Sequence, residues 1–303
     1  MKQGLVALFA FFVLAYAWGN QPDTTRVRIT TWNLEFFPNG SAHDAAPEVQ
    51  AQRIAAAADL LRPINPDIIL LQEVRDYEVC ARLGEAITPG AYHVAICSAF
   101  KEPFQSGLGK QQVAILSKYQ AQAAWAERWK LMNGVDPPRG FAFAWFKIGG
   151  QDIGVYSVHL KSNLITHGNR EAETPKNMQK REVAIDQLMV HVRDMIGAKI
   201  PTINRLIIGG DFNTNQDQGM FAAEKTLSIL TNAGFQNVFR GLPLTERITH
   251  PANHGYPDAT FDYLFGKNFK IGKAFARPTD ISDHWPVTCD FGIDGSRSAD
   301  RCH

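Results

Sequence analysis

The chain has 303 residues, of which 45% are hydrophobic and 20% charged, and its formal net charge is +1 at pH 7. This composition excludes a disordered chain. The balanced charge excludes a protein that binds polyanions over a uniformly basic surface, so phosphate binding has to be local. The length is sufficient for one large α/β domain with a sizeable core.

The first residues are typical of a secretory signal peptide. Lys2 supplies a positive start, residues 5–15 form an apolar run too short to span a bilayer, and Ala15-Tyr16-Ala17 has the small-x-small form of a cleavage site. We therefore expect a secreted or periplasmic protein. Its predicted parts are a signal peptide (1–17), a short N-terminal segment (18–25), one domain (26–291) and a C-terminal tail (292–303).

Apolar and β-branched runs predict nine strands in chain order, at residues 27–34, 67–74, 93–98, 112–117, 140–148, 152–160, 205–211, 259–265 and 285–291. Three stretches between them predict helices: the alanine-rich 50–61, expected to stop before Pro63; 184–196, with apolar residues three to four apart; and 220–230. Strands outnumber helices, which favours two mixed sheets packed face to face with helices outside.

Four cysteines follow the predicted cleavage site. Their even number in an exported protein predicts two disulfides, and we favour Cys80 with Cys97 and Cys289 with Cys302, because each pair is close in sequence. The second pair would tether the C-terminal tail. Each cysteine also fits a buried free thiol. A zinc site is not expected, since the sequence has no C-x-x-C motif or compact Cys/His cluster.

Several predicted strands end on polar residues suited to metal or phosphate. The strand 205–211 ends on Gly209-Gly210-Asp211, and comparable runs end at Glu73 and His159. A side chain at a strand end is held by the sheet yet faces the loops, and one sheet can gather several such ends at one rim. Each residue alone also has an ordinary explanation, such as an Asp/Asn turn, a helix-start carboxylate or a satisfied histidine.

Taken together, these motifs resemble the endonuclease/exonuclease/phosphatase superfamily, of which deoxyribonuclease I is the familiar member. The resemblance covers about residues 26 to 291, and it implies an α/β fold, a four-layer α-β-β-α sandwich of two packed mixed sheets with helices on the outer faces. It leaves the substrate open, since members cleave DNA, RNA, inositol phosphates and sphingomyelin. The motifs are Trp32-Asn33-Leu34-Glu35, Leu71-Gln72-Glu73, Val113-Ala114-Ile115-Leu116-Ser117, Ser157-Val158-His159-Leu160, Gly210-Asp211-Phe212-Asn213, Phe261-Asp262-Tyr263 and Ser282-Asp283-His284-Trp285-Pro286-Val287.

The resemblance implies a divalent cation that neutralises phosphate charge. Glu73 is the leading metal ligand, followed by Asp283 and Asn33. Asn33 would either bind the metal directly or act through a water or a hydrogen bond to the ligand carboxylate. Hard oxygen ligands favour Mg²⁺, with Mn²⁺ or Ca²⁺ as alternatives.

The resemblance also implies the catalytic groups. Asp211 and His284 are both candidates for activating water, with Asp262 orienting His284. Asn213 would donate to the developing oxyanion, and His159 would be the acid for the leaving oxygen. A carboxylate partner for His159 is expected, as in deoxyribonuclease I, and Glu102 or Gln112 occupies its place in the sequence.

Candidate phosphate contacts are Arg139, Lys161 and Asn163. A segment beside His159 carries five basic and two acidic residues, and it predicts either a phosphate-binding rim or a solvated loop and helix face. The basic residues are Lys161, Arg170, Lys176, Lys180 and Arg181.

Three functions remain open at this stage. We expect a secreted monomeric nuclease that hydrolyses a DNA or RNA backbone. A phospholipase C type enzyme acting on sphingomyelin or phosphoinositides would need exposed aromatic residues, for which Trp125, Trp129 and Trp145 are the candidates. A binding protein on an inactive scaffold is disfavoured, because crowded carboxylates are costly without a cation.

Overall fold

The computed structural model describes residues 25–101, 107–165, 168–253 and 255–293. The predicted signal peptide, the predicted His159 partner Glu102 and most of the predicted C-terminal tail, including Cys302, lie outside these ranges.

Twelve strands form within the described residues. In chain order they are β1 (Arg26–Phe37), β2 (Ile68–Val74), β3 (His93–Cys97), β4 (Gln112–Ser117), β5 (Ala121–Arg128), β6 (Gly140–Ile148), β7 (Gln151–His159), β8 (Arg205–Asp211), β9 (Gln236–Asn237), β10 (Asp262–Lys267), β11 (Lys270–Ala276) and β12 (Val287–Gly292). They make two six-stranded sheets, with the orders β11-β12-β1-β2-β4-β3 and β5-β6-β7-β8-β10-β9.

Four α-helices flank the sheets: α1 (Pro47–Ile64), α2 (Tyr77–Ile87), α3 (Arg170–Val190) and α4 (Thr226–Asn232). The helix α3 continues as a π-helical segment over His191–Gly197. In the described parts of the chain, no helix has both the length and the apolar character needed to cross a membrane.

Strand alternation explains the layers. In β2, Ile68 and Leu70 belong to the large core that includes residues of both sheets, whereas Ile69 and Leu71 belong to a second core with α1 and α2. Successive side chains on a strand point to opposite faces, so one apolar run serves both cores. The predicted sandwich of two packed mixed sheets with helices around them is confirmed.

The position of the functional residues follows from two parallel strand pairs. β1 pairs in parallel with β2, and β7 with β8, at the centres of the two sheets. The carboxyl ends of all four strands meet at one rim of the sandwich. The antiparallel strand β10 begins at this rim too, because Asp262 pairs with Asp211.

A polar bridge joins the sheets just below this rim. Gln72 Nε2 donates to Ser157 Oγ at 3.0 Å, and Ser157 Oγ donates to the carbonyl of Leu71 at 3.1 Å. Both side chains are fully buried. Because each polar atom of the bridge has a partner, it fixes the relative position of the two parallel pairs.

Some sequence predictions differ from the structure. The helix α1 does not stop before Pro63 but includes it in the last turn, where the missing N–H removes a single hydrogen bond. The predicted helix 220–230 is divided into a 3-10 turn and α4, and the predicted strand 259–265 begins only at Asp262. The predictions lacked α2, β5, β9 and β11.

The cysteines are thiols in the structure. Cys80 and Cys97 are free but hydrogen-bonded to each other through their side chains, and Cys289 is free and buried. The described residues therefore contain no disulfide. The pairing of Cys289 with Cys302 lies outside them.

Gly210 allows two strands to approach at the rim. A Cβ at this position would lie 1.9 Å from the carbonyl oxygen of Val158 on the neighbouring strand. We expect Gly210→Ala to lower the free energy of unfolding by about 3 kcal/mol, since the clash is with backbone that cannot rotate away. Gly219→Ala is the matched control, because its Cβ would meet nothing within 4 Å. Urea unfolding measures both, and equal stability of the two variants would contradict the packing described.

Candidate active site

The first group at the rim is a set of oxygen ligands from β1 and β2. Asn33 Nδ2 donates to Glu73 Oε1 at 3.4 Å and to Asp211 Oδ2 at 3.0 Å. The other Glu73 oxygen accepts from the backbone N–H of Phe36 at 3.1 Å. Asn33 thus links the two carboxylates, one from each sheet.

Glu35 and Asp283 extend this acidic group. The pKa of Glu35 is raised, first by burial and then by the negative charges of Asp283 and Glu73, although the backbone N–H of Asp283 donates to it. A carboxylate whose pKa is raised by neighbouring negative charges is stabilised by a nearby cation. Glu35 belongs to the first of the sequence motifs, but no role is predicted for it there. Its position two residues after Asn33 at a strand end was the available signal.

These residues fit a hard divalent cation. Glu73, Asp283 and Glu35 offer carboxylate oxygens, and Asn33 adds an amide, which is the ligand type that Mg²⁺, Mn²⁺ and Ca²⁺ prefer.

Asp211 lies at the centre of the site and is buried. Its Oδ1 accepts from the backbone N–H of Asn213 at 2.9 Å, and its Oδ2 accepts from Asn213 Nδ2 at 2.9 Å. Burial raises the pKa of Asp211 to about 6; the charge of His284 opposes this effect and that of Asp262 adds to it. The carboxylate is therefore ionised at neutral pH, yet more basic than an ordinary aspartate.

Asn213 positions Asp211 in this structure. Its amide donates to Asp211 and, at 3.3 Å, to the carbonyl of Leu160. The predicted donation to an oxyanion would require the amide to leave one of these partners.

His284 is held by Asp262. The distance from His284 Nδ1 to Asp262 Oδ2 is 2.7 Å, and His284 Nε2 lies 3.8 Å from Asp211 Oδ2. Burial opposes the imidazolium, but the charges of Asp262 and Asp211 outweigh this, so the pKa of His284 is raised well above its usual value. His284 is thus a cation at neutral pH whose Nε2–H faces the site.

His159 lies on the opposite side of Asp211. Its Nε2 is 3.5 Å from Asp211 Oδ2 and 3.7 Å from Glu73 Oε1, and it lies 3.1 Å from Arg139 Nη2. Burial lowers the pKa of His159 well below its usual value, and the charge of Arg139 adds to this effect. A neutral imidazole whose Nε2 accepts from Arg139 has no proton on that nitrogen to give to a leaving group.

The expected partner of His159 is not Gln112. That side chain instead binds Ser98 Oγ at 2.6 Å and the carbonyls of Phe100 and Gly109 at 2.9 and 2.6 Å, so it braces the loop after β3. His159 Nδ1 is buried without a hydrogen-bond partner among the described residues.

The basic residues of the segment beside His159 do not form one continuous phosphate-binding surface. Arg181 is fully buried and forms a two-pronged ion pair with Glu224, with N–O distances of 2.7 and 2.6 Å. It also donates to Asn163 Oδ1 at 2.9 Å, and Asn163 Nδ2 donates to the carbonyl of Asn213 at 2.6 Å. Arg181 and Asn163 are therefore supports under the site rather than free phosphate ligands.

Lys161 remains half-buried at the edge of the site. Burial lowers the pKa of Lys161 to about 8, and the charges of Arg139, Lys180 and Arg181 add to the effect. Its ammonium donates to the carbonyl of Ser162 at 2.9 Å.

Backbone conformation at the site is unusual. Five non-glycine residues at or beside it have φ between +47° and +65°. Each such residue costs on the order of 1 kcal/mol, and such residues persist only where the surrounding fold holds them. They are Glu35, Phe36, Glu73, Arg139 and Asn213.

The comparisons with known proteins agree with this geometry. The sequence matches the model of the Endonuclease/Exonuclease/phosphatase family over residues 30–284. No curated protein matches the chain.

Solved structures share the fold at low identity. A family protein from Leptotrichia buccalis is 19% identical with a TM-score of 0.62, covering 88% of this chain and all (100%) of that one. One from Beutenbergia cavernae is 18% identical with a TM-score of 0.63, covering 89% of this chain and 72% of that one. D. rerio TDP2, complexed with single strand DNA product, is 17% identical with a TM-score of 0.60, and the match covers 88% of this chain and 99% of that one. The chain thus belongs to the Endonuclease/Exonuclease/phosphatase family and is a metal-dependent phosphodiester hydrolase.

Proposed function

We propose that the protein is an exported, monomeric nuclease that hydrolyses the DNA or RNA backbone. The observation that carries the proposal is the convergence of Asp211, His284, His159 and Arg139 on one rim, beside the acidic group of Glu73 and Asp283. A carboxylate base between two cationic donors, His284 and Arg139, suits a phosphodiester, whose negative charge must be held while water attacks. The structural similarity to TDP2 with its DNA product is consistent with such a substrate.

The acidic group would hold the metal. Glu73 and Asp283 would bind it directly, with Asn33 fixing the Glu73 carboxylate and Glu35 adding negative charge. When bound, Mg²⁺ or a related ion neutralises phosphate charge and favours attack by water.

The residues of the chain supply the proton transfers. Asp211 accepts a proton from the attacking water, since its carboxylate is basic and is oriented by Asn33 and Asn213. Attack forms the new P–O bond and breaks the bond to the leaving oxygen, which takes its proton from solvent water. The imidazolium of His284 donates a hydrogen bond from Nε2 to a phosphate oxygen, and Asp262 keeps His284 charged. The guanidinium of Arg139, which lies 3.1 Å from His159 Nε2, binds the phosphate from the other side, and neutral His159 orients it.

Activity should depend on pH through Asp211. Its active form is the carboxylate, so kcat/KM is expected to fall as pH drops below about 6, the pKa to which burial raises Asp211. Because Asp211 and His284 interact, the value belongs to the pair. A pH–rate profile with saturating Mg²⁺ measures it. A rate that rises as pH falls through this range would contradict Asp211 as the base.

A substrate panel tests the function. Purified mature protein is incubated with plasmid, single-stranded DNA, RNA and sphingomyelin liposomes, each with Mg²⁺ or with a chelator. We expect cleavage of nucleic acid only with the metal. Release of phosphocholine with nucleic acids intact would instead support the lipid enzyme. None of the three aromatic residues that this alternative needs is fully exposed: Trp129 is buried, Trp125 packs against Phe143 at 4.5 Å between ring centroids, and Trp145 is partly buried and donates from Nε1 to Asp152 Oδ1 at 2.9 Å.

Export is proposed from residues 1–17, whose pattern is that of a cleaved signal. In an oxidising compartment the neighbouring thiols of Cys80 and Cys97 would form the disulfide favoured from the sequence. Amino-terminal sequencing of secreted protein is expected to begin after Ala17, and a retained amino terminus would contradict export by this route.

A further inference from the structure

A histidine that the sequence analysis did not single out lies against the active site. The ring of His250 packs edge-on against His284, with 5.0 Å between ring centroids and 79° between planes. On another side it contacts Phe261 at 5.5 Å.

The backbone holds His250 in this place. Its N–H donates to the carbonyl of Ala259 at 3.0 Å, and the N–H of Ala259 donates back at 2.9 Å. The preceding residue, Thr249, accepts the N–H of Trp285 at 2.6 Å through its carbonyl. His250 is therefore tied directly to the segment that carries His284.

Three ligand atoms converge here. One atom each from His250, Asp283 and His284 lies within 4.8 Å of the others, and His250 Nε2 is 4.0 Å from Asp283 Oδ2. His284 would contribute Nε2, since its Nδ1 is bonded to Asp262, and the bound ion would displace to solvent the proton that the imidazolium carries on Nε2. His250 Nδ1 is buried without a hydrogen-bond partner among the described residues.

This ligand set differs chemically from the acidic group around Glu73. Imidazole nitrogens suit Zn²⁺, Co²⁺, Ni²⁺ and Cu²⁺, whereas Mg²⁺ and Ca²⁺ take oxygen. Two imidazoles and one carboxylate are a sufficient protein ligand set for a four-coordinate ion with one open position. We propose that His250, Asp283 and His284 form a binding site for a transition-metal ion of the Zn²⁺ class at the mouth of the active site.

The proposal has a regulatory consequence, which rests on the proposed function. An ion bound to His284 Nε2 occupies the nitrogen that would donate to the phosphate, and it also draws on Asp283 from the acidic group. Ions of the Zn²⁺ class should therefore inhibit Mg²⁺-dependent hydrolysis.

Metal binding is tested on the untagged, full mature protein with Co²⁺, whose visible absorption reports nitrogen ligands, and with Zn²⁺ competition. We expect His250→Phe, which keeps the aromatic packing, to weaken Co²⁺ affinity by at least about tenfold. Even residues that only support metal ligands change affinity by about 10- to 100-fold. The control is His93→Phe, because His93 is exposed on β3 and pairs with Ser117 at the far end of the sheet.

Equal Co²⁺ affinity in the wild-type protein and both variants would overturn the proposal. Should His250→Phe lose the fold by circular dichroism, His250→Gln gives the same reading with a smaller change in polarity. The absorption signal needs no turnover, so it reports on the site even if the protein cleaves no nucleic acid. In an active preparation, Zn²⁺ should inhibit the wild type more strongly than His250→Phe, and equal inhibition would overturn the regulatory part.

Discussion

Asp211→Asn is expected to lower kcat by about 10²- to 10⁴-fold, the usual contribution of a general base. Asparagine has nearly the same shape and can still accept from Asn33 through its oxygen, but it cannot take a proton from water. Steady-state hydrolysis of an activated phosphodiester measures the loss. The acidic limb of the pH–rate profile should disappear in the same variant.

Stability separates this effect from misfolding. Burial raises the pKa of Asp211 to about 6, so the folded state binds a proton more tightly than the unfolded state and ionisation at pH 7 opposes folding. The stability cost is absent at low pH and appears as pH rises from the unfolded pKa through about 6. Asp211→Asn removes this cost but also one of the two oxygens that accept from Asn213, so its free energy of unfolding at pH 7 should stay within about 2 kcal/mol of the wild-type value. Asp186→Asn is the control, since burial also raises the pKa of Asp186 but it lies on α3. If Asp211→Asn hydrolysed the substrate at the wild-type rate, the general base would have to be a group other than Asp211.

Arg181→Met is expected to lower the free energy of unfolding by about 3–5 kcal/mol, because it leaves the carboxylate of Glu224 buried and unpaired. The two side chains are 0% and 1% exposed, so solvent cannot replace the lost partner. The variant also removes the donors to the Lys161 carbonyl at 2.8 Å and to Asn163. Urea unfolding followed by circular dichroism measures the change.

Two further variants identify the cause. Lys176→Met changes an exposed residue on the same helix, whose one ion pair among the described residues is with Glu173 at the surface, and it should cost little. Adding Glu224→Leu to Arg181→Met should recover most of the stability, since an apolar pair can replace a buried ion pair. A loss below about 1 kcal/mol in Arg181→Met would mean that Glu224 is neutralised or hydrated.

The strand-end residues could be predicted from the sequence because their signal is local. Asp211 and Glu73 each close an apolar run, and parallel pairing of such runs places their ends together whatever the loops do. The hydrogen bond between Asp262 and His284 was also predicted, from the resemblance, and the structure contains it at 2.7 Å.

The missed strands have misleading composition. β5 reads AQAAWAER, whose alanines favour a helix, but it is held by pairing with β6. β11 reads KIGKAFA, with a glycine and lysines typical of loops, and lies at the edge of its sheet. In contrast, α2 had a readable start, since Asp76 caps Val79.

Contacts between residues far apart in the chain could not be predicted from the sequence. Arg181 and Glu224 are 43 positions apart, so the sequence left open whether the polar segment binds phosphate or is solvated, and the burial of Arg181 could not be predicted. His250 lies in a loop without periodicity, and its contact with His284 accompanies long-range backbone bonds, among them Trp285 N–H to the carbonyl of Thr249, that the sequence does not reveal. Composition cannot distinguish a supporting charge from a substrate-binding one.

The non-glycine residues with positive φ at the rim imply a conflict between thermal stability and catalysis. Positions such as Glu73 and Asn213, with φ of 57° and 52°, would be more relaxed as glycine, which adopts this backbone region without steric penalty. Selection for thermal stability alone should therefore replace residues of the catalytic rim before it replaces residues of the two hydrophobic cores. An engineering effort on this scaffold would do better to seek its gains in the exposed loops, with the rim held constant.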